Sequence, residues 1–575
     1  MRQDAPVIEA EIQHLETQLE RLARGELDPE LFKKLRLQYG IYSMRAAPTA
    51  YMVRVRVPLG IITPEQLEGL ASACEEFTPA HGCHLTTRQD AQLYGVERHR
   101  VATLLRRLAG VGLTTREASG NVVRNVTLCP FAGVSADEPF DITPYAQAVS
   151  DYLLRNPLTQ MLPRKVKIAF EGCAIDHART PIHDLGVVAA LQGDQPGFRI
   201  YAGGGLGPVP RMAQLVEPWT SAEYLLPTIE AILRVFDRFG ERRNRARARL
   251  KFLVEQLGWE EFRKRVLEER PVVWATQSGY SLTVAPQPLD ESPPKVSAAA
   301  PPAPRGLNTM MFERWAGTNV IPQKQQGLHS VLIRVPLGDV TAVQLRGLAA
   351  LMRRYAGGVR FTNEQNILLR SVLEGMLGFV YEEAGRLGLA EAGAGRLVDI
   401  TRCPGADTCL SAVTHPRGLA EALEQLFHNG LSPWADATLS IKISGCPNSC
   451  GHHHIADLGF FGMSVKVGAR HLPCYQMLVG GCTAEGQATF GTRLLRLPAR
   501  RAPEAVKRLM NVYQEQKQPD ERFAAFVDRV GLESLERALA DLADLTEAAS
   551  QPELFIDVGD TDPFILEAGK GECAE

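Results

Sequence analysis

Two short cysteine pairs stand in the second half of the chain, Cys403 and Cys409 in TRCPGADTC, then Cys446 and Cys450 in SGCPNSC. Thiolates arriving as two local pairs suit a soft metal centre, because each pair can wrap one side of a compact ion or cluster. The spacings, C-x5-C and C-x3-C, differ from the C-x2-C of zinc knuckles. They favour a cubane iron–sulfur cluster and leave a structural zinc as the alternative. Buried structural cysteines scatter singly, so four in two pairs are not the pattern of an ordinary core.

The elements that must position these thiols are written twice in the chain. VRVRVPLG, ending at Gly60, recurs as LIRVPLG, ending at Gly338. Each copy is followed by a helix-like stretch, TPEQLEGLASAC or TAVQLRGLAALM, and then by a polar strand, LTTRQDAQLYGV or FTNEQNILLRSV. This is the β-α-β order of a ferredoxin-like half-domain. Downstream, Cys129-Pro130 matches Cys403-Pro404, IAFEGC ending at Cys173 matches IKISGC ending at Cys446, and DLG recurs at Asp184 and Asp457. Paired glycines recur too, at Gly203-Gly204 and Gly480-Gly481.

The copies differ where chemistry is at stake. Ser135 stands opposite Cys409 and His177 opposite Cys450, so one half can hold a four-thiolate cluster and the other cannot. Cations show the reverse asymmetry. Arg54 faces Leu332 in the comparison, Arg124 faces Val398, and Lys165 and Lys167 face Thr438 and Ser440. Alternation along a strand puts Lys165 and Lys167 on one face, and Arg54 and Arg56 likewise. Half-buried cations need anionic partners, and these segments hold no matching set of carboxylates. An external anion, substrate or cofactor, is the expected partner.

The chain of 575 residues has 45% hydrophobic and 22% charged residues and a net charge of −3. It should fold as several domains and carries no broad basic field for nucleic acid. No apolar run spans a bilayer, and the charged N-terminus lacks a secretory core. Eleven cysteines without an export signal point to the cytoplasm, with metal-bound or free thiols. Ile8, Ile12, Leu15, Leu19 and Leu22 have helical spacing, with Gly25 as a stop. Cys74, Cys83, Cys474, Cys482 and Cys573 show no partner pattern.

TRCPGADTC with SGCPNSCGHHHIADLGFFG, together with GNVVRNV, LPRKVK, TTRQ and IPQKQQGL, resembles the nitrite and sulfite reductase family that couples sirohaem to a [4Fe–4S] cluster. The likeness runs from about Gly40 to the end of the second repeat. It implies an α+β, pseudo-two-fold architecture: two ferredoxin-like half-domains and two larger related α/β domains around a central site. The expected divisions are an N-terminal helical arm (1–44), a first half-domain (45–116) and a first sirohaem and anion-site domain (117–283). A Pro/Ala-rich linker (284–308), flexible or on the surface, follows. The second half-domain (309–394), the cluster domain (395–546) and a C-terminal tail (547–575) complete the chain.

By the same resemblance, Cys403, Cys409, Cys446 and Cys450 would hold the cluster, with Cys450 bridging to the sirohaem iron. Arg54, Arg124, Lys165 and Lys167 would bind substrate oxygens and deliver protons, aided by mutual charge that lowers a lysine pKa. Arg88, Lys324 and Gln325 would meet the cofactor carboxylates. Arg245 and Arg249, read from their spacing alone, lie four apart and would share a helix face that either reaches the same carboxylates or is simply an exposed charged face. Gly203 to Gly207, GGGLG, would bring backbone near the cofactor. His452, His453 and His454 read as structural.

Sulfite is the favoured substrate because sulfite reductases carry Lys-x-Lys where plant-type nitrite reductases replace the second lysine by asparagine. IPQKQQGL and CPNSCGHHHIADLGF look closer to nitrite-reducing relatives, which keeps nitrite as the alternative. No G-x-G-x-x-G lies at a strand-to-helix turn, so electrons are expected from a ferredoxin or a separate flavoprotein. A corrin-pathway oxygenase and a zinc- or cluster-stabilised interaction protein are the readings from other classes.

Overall fold

The computed structural model describes residues 5–45, 47–276, 289–294, 308–429, 432–484, 488–567, 569 and 571–572. Its described strands form four sheets, and the sheets come in two matched pairs.

The smaller pair is antiparallel. In the first half, Ile41–Met44, Ala47–Val55, Ala91–Glu97 and Gly82–Leu85 lie side by side. In the second, Val320–Pro322, Leu328–Ile333, Ile367–Leu373 and Gly358–Phe361 repeat that order. The two sheets exchange edges. Asp339–Thr341 of the second half pairs with Gly82–Leu85 of the first, and Ile61 of the first bridges Arg360 of the second. Edge strands that would otherwise offer unpaired backbone are thereby closed.

One helix covers each sheet, Pro64–Phe77 and Ala342–Tyr355, and both start from the same capping box. Thr63 and Gln66, like Thr341 and Gln344, exchange side-chain and backbone hydrogen bonds that satisfy orphan helix donors. The two helices pack on each other and share one core, in which Leu67, Leu70, Leu345 and Leu348 have no exposed surface. The N-terminal helix Ala5–Ala23 joins this core through Ile12, Leu15 and Leu19.

The larger pair is mixed. Val123–Leu128, Val166–Glu171 and Leu185–Gln192 run parallel, and Gln195–Ala202 and Gln214–Ser221 follow antiparallel. Thr401–Arg402, Ile441–Ser444, Leu458–Val467, Arg470–Val479 and Thr492–Pro498 repeat the pattern. Val123–Leu128 is buried at every position, as parallel strands covered on both faces must be. Matching details extend to single bonds. The Lys167 amide donates to Asp184 Oδ2 at 2.9 Å, and the Ser440 amide to Asp457 Oδ2 at 2.8 Å. The architecture is α+β and duplicated.

Arg56 lies just past the strand end at Val55, still bridges Thr114 and is fully buried against Glu117 at 3.5 Å, whereas Arg54 lines a cavity. One sequence reading changes: Arg245 and Arg249 do not share a helix face. Arg245 lies in a short 3-10 turn capped by Asn244, and Arg249, extended at ψ 152, precedes the helix Leu250–Leu257. The Pro/Ala-rich connector lies largely outside the described residues; its described stretch 289–294 runs along the surface, with Leu289, Asp290 and Ser292 exposed, and is held at one side chain. There Glu291 pairs with the buried Arg360 and Arg370 at 2.7 and 3.1 Å.

Candidate functional site

Parallel strands present their carboxyl ends together, and that edge builds the site. Cys403 directly follows Thr401–Arg402, and Cys446 lies two residues beyond Ile441–Ser444 on the neighbouring strand. Each leads a local loop that returns the second thiol, Cys409 or Cys450. The return after Cys450 depends on Gly451, where a Cβ would sit 2.1 Å from the Ile443 carbonyl oxygen. All four cysteines line one cavity. Cys403 and Cys446 are buried, Cys409 is half-buried and Cys450 is exposed to the cavity.

The Gly445 amide donates to Cys403 Sγ at 3.2 Å. Burial pushes the Cys403 thiol well above its ordinary pKa, and the neighbouring Cys450, Cys446 and Cys409 push it further. Thiols so placed ionise when a metal takes the charge, so the donor set fits a thiolate-ligated cluster.

The first half contributes cations to this cavity. Arg54, Arg88, Arg124, Lys165 and Lys167 all line the same cavity. Arg54 Nη1 donates to Tyr42 Oη and Ala118 O at 3.2 and 3.3 Å, and Arg124 Nη1 to the same two atoms at 3.3 and 3.1 Å. Two guanidinium groups thus converge on shared neutral acceptors. Arg88 is buried and donates to Asn125 O, while its Nε and Nη1 find no hydrogen-bond partner among the described residues. Burial, then the nearby Arg124 and Arg54 charges, pulls its pKa down to about 9, so it remains a cation at neutral pH. A buried guanidinium with unused donors beside further cations fits an anionic group with several carboxylates.

Lys167 is a strongly perturbed lysine of the wall. Burial, then Arg88 and Arg249, lowers its ammonium pKa to about 7. Such a group can give up a proton near neutrality.

The other candidates lie elsewhere. Lys324 Nζ pairs with Glu138 at 2.7 Å and Gln325 Nε2 donates to Gly133 O at 2.9 Å, beside the first-half loop. Arg245 is exposed, and Arg249 makes a two-point pair with Asp184 at 3.1 and 2.7 Å. GGGLG instead cradles Lys251, which donates to the carbonyls of Leu206 and Val209. His452, His453 and His454 are buried, with pKa values lowered by burial, and His454 Nε2 lies 3.1 Å from Gly207 O. Cys573 lies outside the described residues.

Residues not among the candidates above complete the wall. Tyr42 aligns the two arginines, and Arg402, buried, pairs with Asp339 at 2.6 Å. Burial opposes ionisation of Asp339, yet His84, Arg402 and Arg417 together hold its carboxyl well below the usual range. From the tail, Glu572 lines the cavity, accepts from the Ser43 amide at 2.9 Å and pairs with Arg36.

Comparison with known proteins agrees with this geometry. The family model described as the nitrite and sulphite reductase 4Fe-4S domain matches residues 119–272 and 393–544. The nitrite/sulfite reductase ferredoxin-like half domain matches 43–111 and 321–386. A ferredoxin–nitrite reductase of Synechococcus elongatus is 31% identical over 452 residues, 77% of this chain and 82% of that one. A ferredoxin sulfite reductase of Mycolicibacterium paratuberculosis is 27% identical over 493 residues, 84% and 83%. The solved structure of the Mycobacterium tuberculosis NirA protein matches at TM-score 0.74 and 25% identity, covering 91% of this chain and 97% of that one. No described helix is long and apolar enough to cross a membrane. The chain therefore belongs to the nitrite and sulfite reductase family, oxidoreductases that carry sirohaem and a [4Fe–4S] cluster.

Proposed function

We propose that the chain reduces sulfite to sulfide with six electrons delivered by an external ferredoxin. The observation that carries this reading is the pair Lys165 and Lys167, which line with Arg54 and Arg124 the same cavity as the four cysteines. Four cations converging on one space suit a dianion better than a monoanion, since each added positive charge offsets another unit of substrate charge.

When bound, the cluster and sirohaem supply stored electrons and an iron centre for the oxyanion. Cys403, Cys409, Cys446 and Cys450 would hold the cluster. Cys450, the exposed thiol of the four, would touch both groups. Arg88 would meet the carboxylates of the tetrapyrrole with its unused Nε and Nη1. Arg54 and Arg124, fixed through Tyr42 and Ala118, would orient sulfite oxygens. Each oxygen leaves as water and needs protons, which Lys167 is poised to give.

Nitrite is the second reading, favoured by the higher identity to the ferredoxin–nitrite reductase. Ferredoxin is preferred to a flavoprotein donor because the named relatives of both kinds are ferredoxin enzymes. Turnover driven by reduced viologen, with sulfite and nitrite compared as kcat/KM, decides the substrate. A clear preference for nitrite overturns the proposal.

A further inference from the structure

The first half keeps a second metal-competent group at the place that mirrors the cluster. Cys129 follows the strand Val123–Leu128 and Cys173 follows Val166–Glu171, at the carboxyl edge of the first-half sheet. Cys129 Sγ lies 3.3 Å from Cys173 Sγ and 3.4 Å from His177 Nδ1. With a carboxylate oxygen of Glu171, the four donor atoms all lie within 4.8 Å of one another. Cys129, Cys173 and His177 occupy the positions of Cys403, Cys446 and Cys450. Ser135, at the position of Cys409, turns away to Asp137 at 2.5 Å, and Glu171 supplies the fourth donor instead.

We propose that Cys129, Cys173, His177 and Glu171 bind a single zinc ion. Two sulfurs, one nitrogen and one oxygen form a borderline-soft set typical of tetrahedral zinc. Zinc–sulfur bonds of about 2.3 Å and zinc–nitrogen bonds of about 2.0 Å place tetrahedral ligand atoms roughly 3.5–3.8 Å apart. The observed 3.3 and 3.4 Å need only a slight opening to admit the ion. A cubane needs four thiolates spread around a larger body, which this set lacks.

The surroundings hold the donors in place. Glu171 accepts from the amides of Cys173 and Ala178, both at 2.8 Å, and each carboxylate oxygen keeps a further lone pair for a metal. The Phe131 ring packs against His177 with centroids 4.8 Å apart, which fixes the imidazole. Cys129, Glu171 and Cys173 are 0%, 2% and 6% exposed, so bulk water does not compete for the ion.

The test uses the purified holoenzyme. Elemental analysis should find about one zinc per chain beside the iron, and zinc-edge X-ray absorption should show two sulfurs and two light atoms in the first shell. Cys173→Ser and His177→Ala should each lower zinc content at least tenfold after desalting, while cluster iron and the haem absorption stay at wild-type levels. No zinc, either as purified or after incubation with Zn²⁺ under reducing conditions, would overturn the assignment. So would a shell without two sulfurs, or a Cys129–Cys173 disulfide in protein kept reduced throughout. If the variants do not fold, the absorption shell of the wild-type protein still decides.

Discussion

Thr87 Oγ1 donates a hydrogen bond of 3.0 Å to the backbone carbonyl of Cys450. One residue before Arg88, the first half thereby grips the thiol-bearing loop of the second. This contact is one of those that tie the cation wall to the exposed thiol across the two halves. Thr87→Val keeps the shape but leaves that carbonyl without its donor, at a cost of about 1–3 kcal/mol. Denaturant unfolding should show a lower midpoint with an unchanged slope. An unchanged midpoint would remove Thr87 from this role.

Lys167 divides the two substrate readings. Lys167→Asn should lower kcat/KM for sulfite at least tenfold more than for nitrite, because the dianion loses a compensating charge. Parallel viologen-driven assays with both substrates measure the difference. Equal losses would contradict the assigned role.

The same lysine sets a pH limb. Burial and two arginines place its pKa at about 7, and an anionic occupant of the cavity moves it upward. Activity should therefore fall on the alkaline side, with a midpoint at or above about 7. In Lys167→Arg the limb should vanish, since the guanidinium holds its proton. Superimposable profiles would show that another group titrates.

Arg88 tests the anion cradle separately from catalysis. Arg88→Met removes the two unused buried donors while preserving much of the side-chain volume. Protein purified from such a variant should contain several-fold less tetrapyrrole by absorbance, with cluster iron retained. Full tetrapyrrole content would refute the assignment of Arg88 to the cofactor.

Glu572 ties the tail to the cavity through Arg36 and the Ser43 amide. Burial raises the Glu572 pKa, but the Arg36 contact outweighs this and leaves it below the ordinary value. A lowered carboxyl pKa stabilises the fold above the unfolded-state value of about 4.3, and that stability is lost as pH falls through the folded value. Glu572→Gln should be less stable at pH 7, by about 3 kcal/mol for a buried pair broken on one side. It should also lose less stability on acidification than the parent. Matched acid titrations of unfolding would expose any error in this sign.

The site was legible wherever chemistry required rare residue types. Cysteine pairs and cations in strand contexts stand out against their own duplicate, so Cys403, Cys450, Arg54 and Lys167 could be picked out by difference. Tyr42 and Glu572 could not, and Thr87, although inside the TTRQ segment, shows nothing there of its contact to Cys450. Threonine, tyrosine and glutamate are ordinary residues, and their importance comes from where distant segments meet. The helix face expected of Arg245 and Arg249 failed for a local reason: a 3-10 turn and an extended residue stand where simple periodicity assigns one continuous helix. The fold was more legible than the site because repetition supplies an internal alignment within one sequence.

The exchanged edges have a consequence for how the chain holds together. Asp339–Thr341 completes the sheet of the first half, Ile61 bridges to the second, and Arg346 and Arg353 pair across to Glu75, Glu68 and Glu65. The peptide joining the halves is therefore redundant as a fastener. A nick in it should leave two fragments that migrate as one particle, because each lacks an edge that only the other can supply.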